Sequence, residues 1–133
     1  MSAPQDQAFD AGAVAAAMAV LDRHMEALNA RSEAALAATL HFPHFRLSGG
    51  RMQVWDGPGS YFADFLARAG EGWHHSAWTS RVPLAASPVK VHLDVTFTRY
   101  RGDGSALGEF RSLWIVACID GRWAAQVRSS FAA

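Results

Sequence analysis

The segment that decides the fold begins with Val89-Lys90-Val91-His92-Leu93-Asp94-Val95-Thr96-Phe97-Thr98, in which apolar and polar residues alternate strictly. An alternation with a period of two is typical of a β-strand with one buried face. Gly102-Asp103-Gly104 and Asp120-Gly121 follow it, and each contains the Asp-Gly pair that is typical of a hairpin turn. Residues 88–131 are therefore predicted to form three antiparallel strands joined by two tight turns.

Two-residue turns would fix the register of this sheet. Phe97 is then predicted to pair with Phe110, Leu93 with Trp114, and Trp114 with Val127 on the third strand. One face of the sheet becomes almost entirely apolar and is the predicted core face. The opposite, outer face carries a mixed set of side chains: His92, Asp94, Arg111, Leu113, Ile115, Gln126 and Arg128. A single β-bulge would exchange the two faces beyond it.

The middle strand predicts a partner molecule. Residues 113–119 are apolar on both faces, and a strand of that kind is covered on both sides. A chain of 133 residues has enough helix to cover one face. A second copy is the simplest cover for the other, since most soluble oligomers are symmetric homo-oligomers. We therefore expect a homodimer formed through the outer face, although a sheet that curls over its own second face is the alternative.

Composition narrows the class of protein. The length predicts one domain over residues 1–133, and 50% hydrophobic residues suit a compact fold. The formal net charge of zero provides no positive field for nucleic acid or an anionic membrane. A lone Cys118, the lack of a visible signal peptide and the lack of a long apolar helix favour a soluble cytoplasmic protein. No metal-binding or phosphate-binding motif is present, so neither a metal nor a cofactor is expected.

The N-terminal half predicts helices. A helix over 11–28 would begin after Asp10, a good N-cap, and Ser32 would cap a second, short helix. The apolar residues of the first helix repeat at four-three spacing and form one stripe: Val14, Met18, Leu21, Met25 and Leu28. His24 falls off this stripe and is expected at the surface, as is His41.

A second hairpin and a third helix lie between these helices and the long sheet. Gly49-Gly50 predicts a hairpin turn whose register places His44 and Trp55 on one face. Asp56-Gly57-Pro58 predicts a turn into a helix on which Tyr61 and Phe65 are four residues apart, and Gly70 is a natural stop. The predicted fold class is α+β, with N-terminal helices packed on a curved, mostly antiparallel sheet.

This order of elements resembles the nuclear transport factor 2-like superfamily, which includes ketosteroid isomerase, scytalone dehydratase and the SnoaL-like polyketide cyclases. The residues that carry the resemblance are Leu28-Asn29-Ala30-Arg31, His41-Phe42-Pro43-His44, Asp56-Gly57-Pro58 and Asp120-Gly121-Arg122-Trp123. The resemblance implies a cone-shaped barrel around an apolar pocket and a dimer through the outer face. It also implies that His or Asp moves a proton next to a carbonyl group in the isomerase-like and dehydratase-like members.

Within that frame, His44 is the leading candidate for an acid or base, with Tyr61 or Asp94 as a second group. A structural role for His44 under the proline turn is the alternative. If the outer face lined the pocket, Asp94 would be a base and Arg128 would bind a carboxylate; otherwise both belong to the dimer interface, which we favour. The predicted pocket walls are apolar: Trp55, Trp114, Phe97, Met18 and Phe65.

Two functions therefore stay open. One is a cofactor-independent isomerase, dehydratase or cyclase that acts by His/Asp proton transfer on a small hydrophobic carbonyl compound. The other is a dimeric module that binds a small apolar ligand, or a partner, and has no reaction of its own.

Overall fold

The computed structural model describes residues 9–132. The helices and strands, in chain order, are α1 (Ala11–Asn29), α2 (Glu33–Ala37), β1 (Leu40–Ser48), β2 (Arg51–Trp55), α3 (Tyr61–Ala69), β3 (His75–Ser87), β4 (Lys90–Tyr100), β5 (Ala106–Ile119) and β6 (Arg122–Ser130). Within residues 9–132, no helix combines the length and the apolar character needed to cross a bilayer.

The strands form one mixed sheet in the order β2-β1-β6-β5-β4-β3. All neighbours are antiparallel except β1 and β6, which run parallel. The predicted α+β class, with N-terminal helices packed on a mostly antiparallel sheet, is confirmed. The sheet does not close into a barrel, and the parallel pairing joins the short hairpin to the long meander.

Helix α1 packs against the sheet with a face that overlaps the predicted stripe only in part. Asp10 caps the helix as expected, since its carboxylate accepts a hydrogen bond from the Ala13 amide at 2.9 Å. The buried face, however, is Ala13, Ala17, Val20, Leu21, His24, Ala27 and Leu28. Of the predicted stripe, Leu21 and Leu28 belong to this face, whereas Val14, Met18 and Met25 lie at its edge, partly buried. The small side chains of Ala13, Ala17 and Ala27 allow α1 to pack close to the sheet. His24 lies on this alanine face and is therefore buried in the core.

Both predicted hairpin registers that do not involve β6 are confirmed. In β1 and β2, His44 pairs with Trp55 and Phe45 pairs with Val54. In β4 and β5, Phe97 pairs with Phe110, and Leu93 pairs with Trp114. The turn residues that carry the Gly-Gly and Asp-Gly signals adopt positive φ, as Gly49 and Gly121 do.

The predicted register between β5 and β6 is wrong beyond Gln126. Ile115 pairs with Val127 but Val116 pairs with Ala125, so Gln126 is an extra residue that forms a β-bulge. A bulge exchanges the faces of the strand that follows it. Trp114 therefore pairs with Arg128 rather than with Val127, and Arg128 lies inside the protein, only 8% exposed. This position corrects the expectation that Arg128 belongs to the dimer interface.

Candidate ligand-binding site

Four arginines converge on a partly enclosed cavity between the helices and the inner face of the sheet. They are Arg46 on β1, Arg68 on α3, Arg99 on β4 and Arg128 on β6, and we call this space the arginine cavity. Its volume is about 40 Å³. A buried water needs roughly 10–15 Å³ in this measure, so the cavity accommodates a few waters or the head of a small molecule.

Alternation places three of these arginines inside. Arg46 lies two residues after the buried His44, Arg99 lies two residues after Phe97, and Arg128 is directed inward by the bulge at Gln126. Arg68 is three residues after Phe65 on α3, which puts the two side chains on one face of the helix. Aromatic and apolar side chains complete the walls: Met25, Leu28, Phe65, Trp78, Phe97 and Trp114.

The arginine cavity carries no counter-charge among the residues described. No Asp or Glu between residues 9 and 132 lines it. Burial, and then the neighbouring guanidinium groups, lower the pKa of Arg68 and Arg99 to about 10. Burial and the Arg128 charge have the same effect on the pKa of Arg46. The groups stay protonated at neutral pH, so several cations repel one another at this site.

The guanidinium groups also leave hydrogen-bond donors unsatisfied. The buried Nε and Nη1 of Arg68, Nε of Arg99 and Nη2 of Arg128 have no partner among the described residues. An unpaired buried donor costs free energy of about 1–3 kcal/mol, and more when the group is charged. This repulsion and these unpaired donors would both be relieved by an anion.

Aromatic rings hold the arginines in place without neutralising them. The Arg99 guanidinium carbon lies 4.7 Å from the centre of the Phe110 ring, and that of Arg128 lies 5.2 Å from the Trp114 ring. Arg68 lies 5.7 Å from the Trp55 ring. Cation–π contacts of this kind stabilise a cation by about 0.5–2 kcal/mol and leave its N–H groups available.

His44, the predicted acid or base, is locked as a neutral ring. Its Nδ1 donates to the Ala125 carbonyl at 3.1 Å, and its Nε2 accepts from Nε of Arg128 at 3.1 Å. Burial, and then the Arg128 charge, lower the pKa of His44 to about 2. Both ring nitrogens are therefore engaged, and the ring has no lone pair left for a substrate proton. Its role here is to orient Arg128.

A second histidine, His24, lines the arginine cavity directly. It is 4% exposed, and its ring meets the Trp114 ring edge-on with centroids 4.9 Å apart. Nδ1 of His24 lies 2.9 Å from the Thr39 hydroxyl. Burial, and then the Arg128 charge, lower the pKa of His24 to about 3.

The remaining predicted site residues divide into three groups. Trp114, Phe97 and Phe65 line the arginine cavity. Trp55 and Tyr61 are buried beside His44, with ring centroids 6.1 Å and 5.7 Å from the centroid of its ring. Neither residue lines the arginine cavity. Met18 packs at the edge of the core.

Asp94 lies on the outer face, away from the cavity. Its carboxylate binds Arg111 through two hydrogen bonds, of 2.9 Å and 2.6 Å. This pair lowers the pKa of Asp94, chiefly through the hydrogen bonds from Arg111. Asp94 therefore cannot reach a molecule in the arginine cavity, and the pocket is cationic rather than purely apolar.

Sequence reasoning missed His24, Arg46, Arg68 and Arg99. The signal for Arg46 and Arg99 was present, because each lies on the same side of its strand as a residue that was placed inside, His44 and Phe97. The signal for Arg68 was its helical spacing from Phe65. His24 had no comparable signal, since it fell off the stripe of large side chains.

No protein-family model and no curated protein sequence matches the chain. Solved structures do. A protein of unknown function with a cystatin-like fold from Nostoc punctiforme superposes with a TM-score of 0.76 at 15% identity, over 95% of both chains. A nuclear transport factor 2-like protein of unknown function from Pseudomonas putida gives 0.73 at 15% identity, over 93% of this chain and 89% of that one.

A ketosteroid isomerase-like protein from Erwinia carotovora atroseptica gives a TM-score of 0.67 at 15% identity, over 93% of this chain and 98% of that one. These likenesses confirm the predicted resemblance at the level of the fold. The chain has the cystatin-like, nuclear transport factor 2-like fold. At this identity the fold does not give a function.

Proposed function

We propose that this nuclear transport factor 2-like fold binds a small organic carboxylate in the arginine cavity. The observation that carries the proposal is the set of buried guanidinium N–H groups, on Arg68, Arg99 and Arg128, that have no partner among residues 9–132. A carboxylate would accept several of these hydrogen bonds and would offset the repulsion among the cations. Bonds of this kind are about twice as strong as neutral ones.

The walls favour an organic body over an inorganic anion. Trp78, Trp114 and Phe97 line the cavity beside the arginines. Aromatic walls with a few convergent polar groups are typical of sites for small organic ligands. A flat carboxylate also matches the fork of a guanidinium group in two-point contacts. The small volume favours a carboxylate with two to four carbons.

Of the two functions that the sequence left open, binding is the better supported. His44 has both nitrogens engaged, and Asp94 lies on the outer face. Proton transfer through either residue would need a rearrangement of the inner face. The proposed ligand differs from the apolar one expected from the sequence, because four arginines line the site.

The binding proposal is tested by melting the protein with carboxylates of increasing size, from formate to benzoate, at constant ionic strength. Each acid is paired with its neutral amide, which has the same shape and no charge. A five-atom ligand such as propionate reaches micromolar to millimolar Kd at best, so the titration extends to tens of millimolar. We expect propionate at 50 times its Kd to stabilise the fold by about 2 kcal/mol, a rise in Tm of roughly 5 °C or more.

The amides are expected to leave Tm unchanged. An equal rise with propionate and propionamide would show that charge does not matter, and the proposal would fail. No rise with any carboxylate would also contradict it.

We further propose that a second copy of the chain covers the outer face. Val54, Phe45, Val127 and Ile115 lie opposite one another on four neighbouring strands and form an apolar row. Val54 is 47% exposed in the single chain, and the adjacent Met52 is 54% exposed. A contiguous exposed apolar surface is typical of an interface, and a net charge of zero gives two copies little reason to repel.

Replacing Ile115 by lysine is expected to convert a dimer into a monomer, because two charges would face each other across the proposed interface. Sedimentation measures the change, from twice 14.4 kDa to 14.4 kDa. Ala63→Lys adds the same charge at an exposed position of α3 and is the matched control. A wild-type protein that sediments as a monomer would contradict the proposal.

A further inference from the structure

We infer that the carboxylate held by the arginines also carries a hydroxyl group, and that Nε2 of His24 accepts the hydrogen bond of that hydroxyl. The ligand class is then a small hydroxy acid rather than a simple fatty acid. This inference rests on the proposed function, since it names the substrate class of the same cavity.

The protonation state of His24 follows from its neighbours. The Thr39 hydroxyl donates to the Leu36 carbonyl at 2.7 Å, and a carbonyl oxygen can only accept. The Thr39 hydroxyl proton is therefore already used in the bond to the Leu36 carbonyl and cannot be donated to His24. The Thr39 oxygen must accept the bond from Nδ1 of His24, which lies 2.9 Å away. His24 thus carries its proton on Nδ1 and a lone pair on Nε2.

His24 stays in this form at neutral pH. Burial and the Arg128 charge lower its pKa to about 3, so the ring is not protonated a second time. Among residues 9–132, no side chain or backbone group donates to Nε2. Nε2 is not sealed off in the core: it is accessible at the cavity that His24 lines, so its lone pair is open to a ligand. A ligand hydroxyl would satisfy it.

His24 and the arginines meet at one wall of the cavity. The His24 ring and the Arg128 guanidinium group both pack on Trp114. The centre of the Trp114 ring lies 4.9 Å from the centre of the His24 ring and 5.2 Å from the guanidinium carbon of Arg128. A molecule lying beside this indole would have a cation and an acceptor within its reach. His44 cannot take the place of His24, since its Nε2 already accepts from Arg128.

Three serine hydroxyls of the wall can donate to a ligand. Each of three cavity serines accepts a hydrogen bond from an N–H group: Ser76 from Trp73, Ser112 from Trp114, and Ser130 from the Ala132 amide. Each hydroxyl proton then remains to be donated. The serine protons suit the carboxylate oxygens, whereas Nε2 of His24 has a lone pair and no proton, so it can only accept, as the proton of a ligand hydroxyl requires.

The test compares lactate with propionate by calorimetry, because the two acids differ by one hydroxyl. We expect wild-type protein to bind lactate about fivefold to tenfold more tightly, the worth of one hydrogen bond. 3-Hydroxypropionate, which moves the hydroxyl by one carbon, is titrated in parallel, and the tighter of the two hydroxy acids is compared with propionate. Equal binding of all three acids would overturn this inference and leave the proposed function standing. No binding of any of them would overturn both.

Two variants locate the acceptor. His24→Phe removes the lone pair, and Thr39→Val frees Nδ1 so that the proton can move to Nε2. In each variant, the preference for the hydroxy acid is expected to fall below twofold. Thr39→Ser keeps the hydroxyl that fixes the proton on Nδ1 of His24 and is expected to keep the preference. A preference that survives in His24→Phe would overturn the assignment.

Discussion

Replacing Arg68 by methionine is expected to weaken propionate binding at least tenfold and, in the absence of ligand, to raise the free energy of unfolding by about 1 kcal/mol. Methionine keeps much of the side-chain length but removes a cation that is buried and repelled by Arg128. Unpaired buried charges are costly, and the lost cation–π contacts with Trp55 and Phe65 offset only part of the gain. The lost charge-assisted hydrogen bonds, about 1.5–3 kcal/mol, account for the weaker binding.

The prediction is specific because the same substitution is expected to weaken binding and to raise stability. A residue needed only for folding would lower stability when it is changed, whereas a residue kept for binding can raise it. Urea unfolding measures the stability and calorimetry measures the binding. Arg23→Met, at an exposed position of α1, is the matched control and should change neither quantity by much. If Arg68→Met left propionate affinity unchanged, Arg68 would be excluded from the site.

Lowering the pH from 7 to 5 is expected to reduce the free energy of unfolding by about 4 kcal/mol. His24 and His44 have folded pKa values of about 3 and about 2, against 6.5 for an ordinary histidine. The unfolded chain therefore binds protons below pH 6.5 that the folded chain refuses. Stability falls as the pH falls, by about 1.4 kcal/mol per pH unit for each ring once the pH is well below 6.5.

Urea unfolding at pH 7, 6 and 5 checks this dependence. His44→Gln should lose about half of the slope. A flat stability between pH 7 and pH 5 would contradict the neutral, buried state of both rings.

Much of the fold was predictable because it depends on local signals. The alternation in β4 and the Asp-Gly turns determined the pairing of Phe97 with Phe110, and Gly49-Gly50 determined the pairing of His44 with Trp55. The bulge at Gln126 has no such signal, because it depends on how β6 joins β1 on one side and β5 on the other. A one-residue change of register then moved Arg128 from one face of the sheet to the other.

The site was less predictable because it, too, depends on contacts between elements that are distant in the sequence. Its cations come from four separate elements, and only the tertiary structure brings them together. Inward-facing arginines are also unexpected on general grounds, since arginine is mostly exposed in folded proteins. The alternation pattern did indicate Arg46 and Arg99, but the chemistry of their side chains argued against that position. Such exceptions to the local rules are expected at functional sites.

Carboxylate binding in the arginine cavity is tested most sharply by a titration of the protein with propionate, followed through the NMR signals of the arginine Nε–H groups. These groups on Arg68 and Arg99 are buried and lack partners among the described residues. We expect that both signals shift and saturate together, that propionamide leaves them in place, and that the Arg23 signal does not respond. Saturable binding of propionate with unchanged Arg68 and Arg99 signals would contradict it.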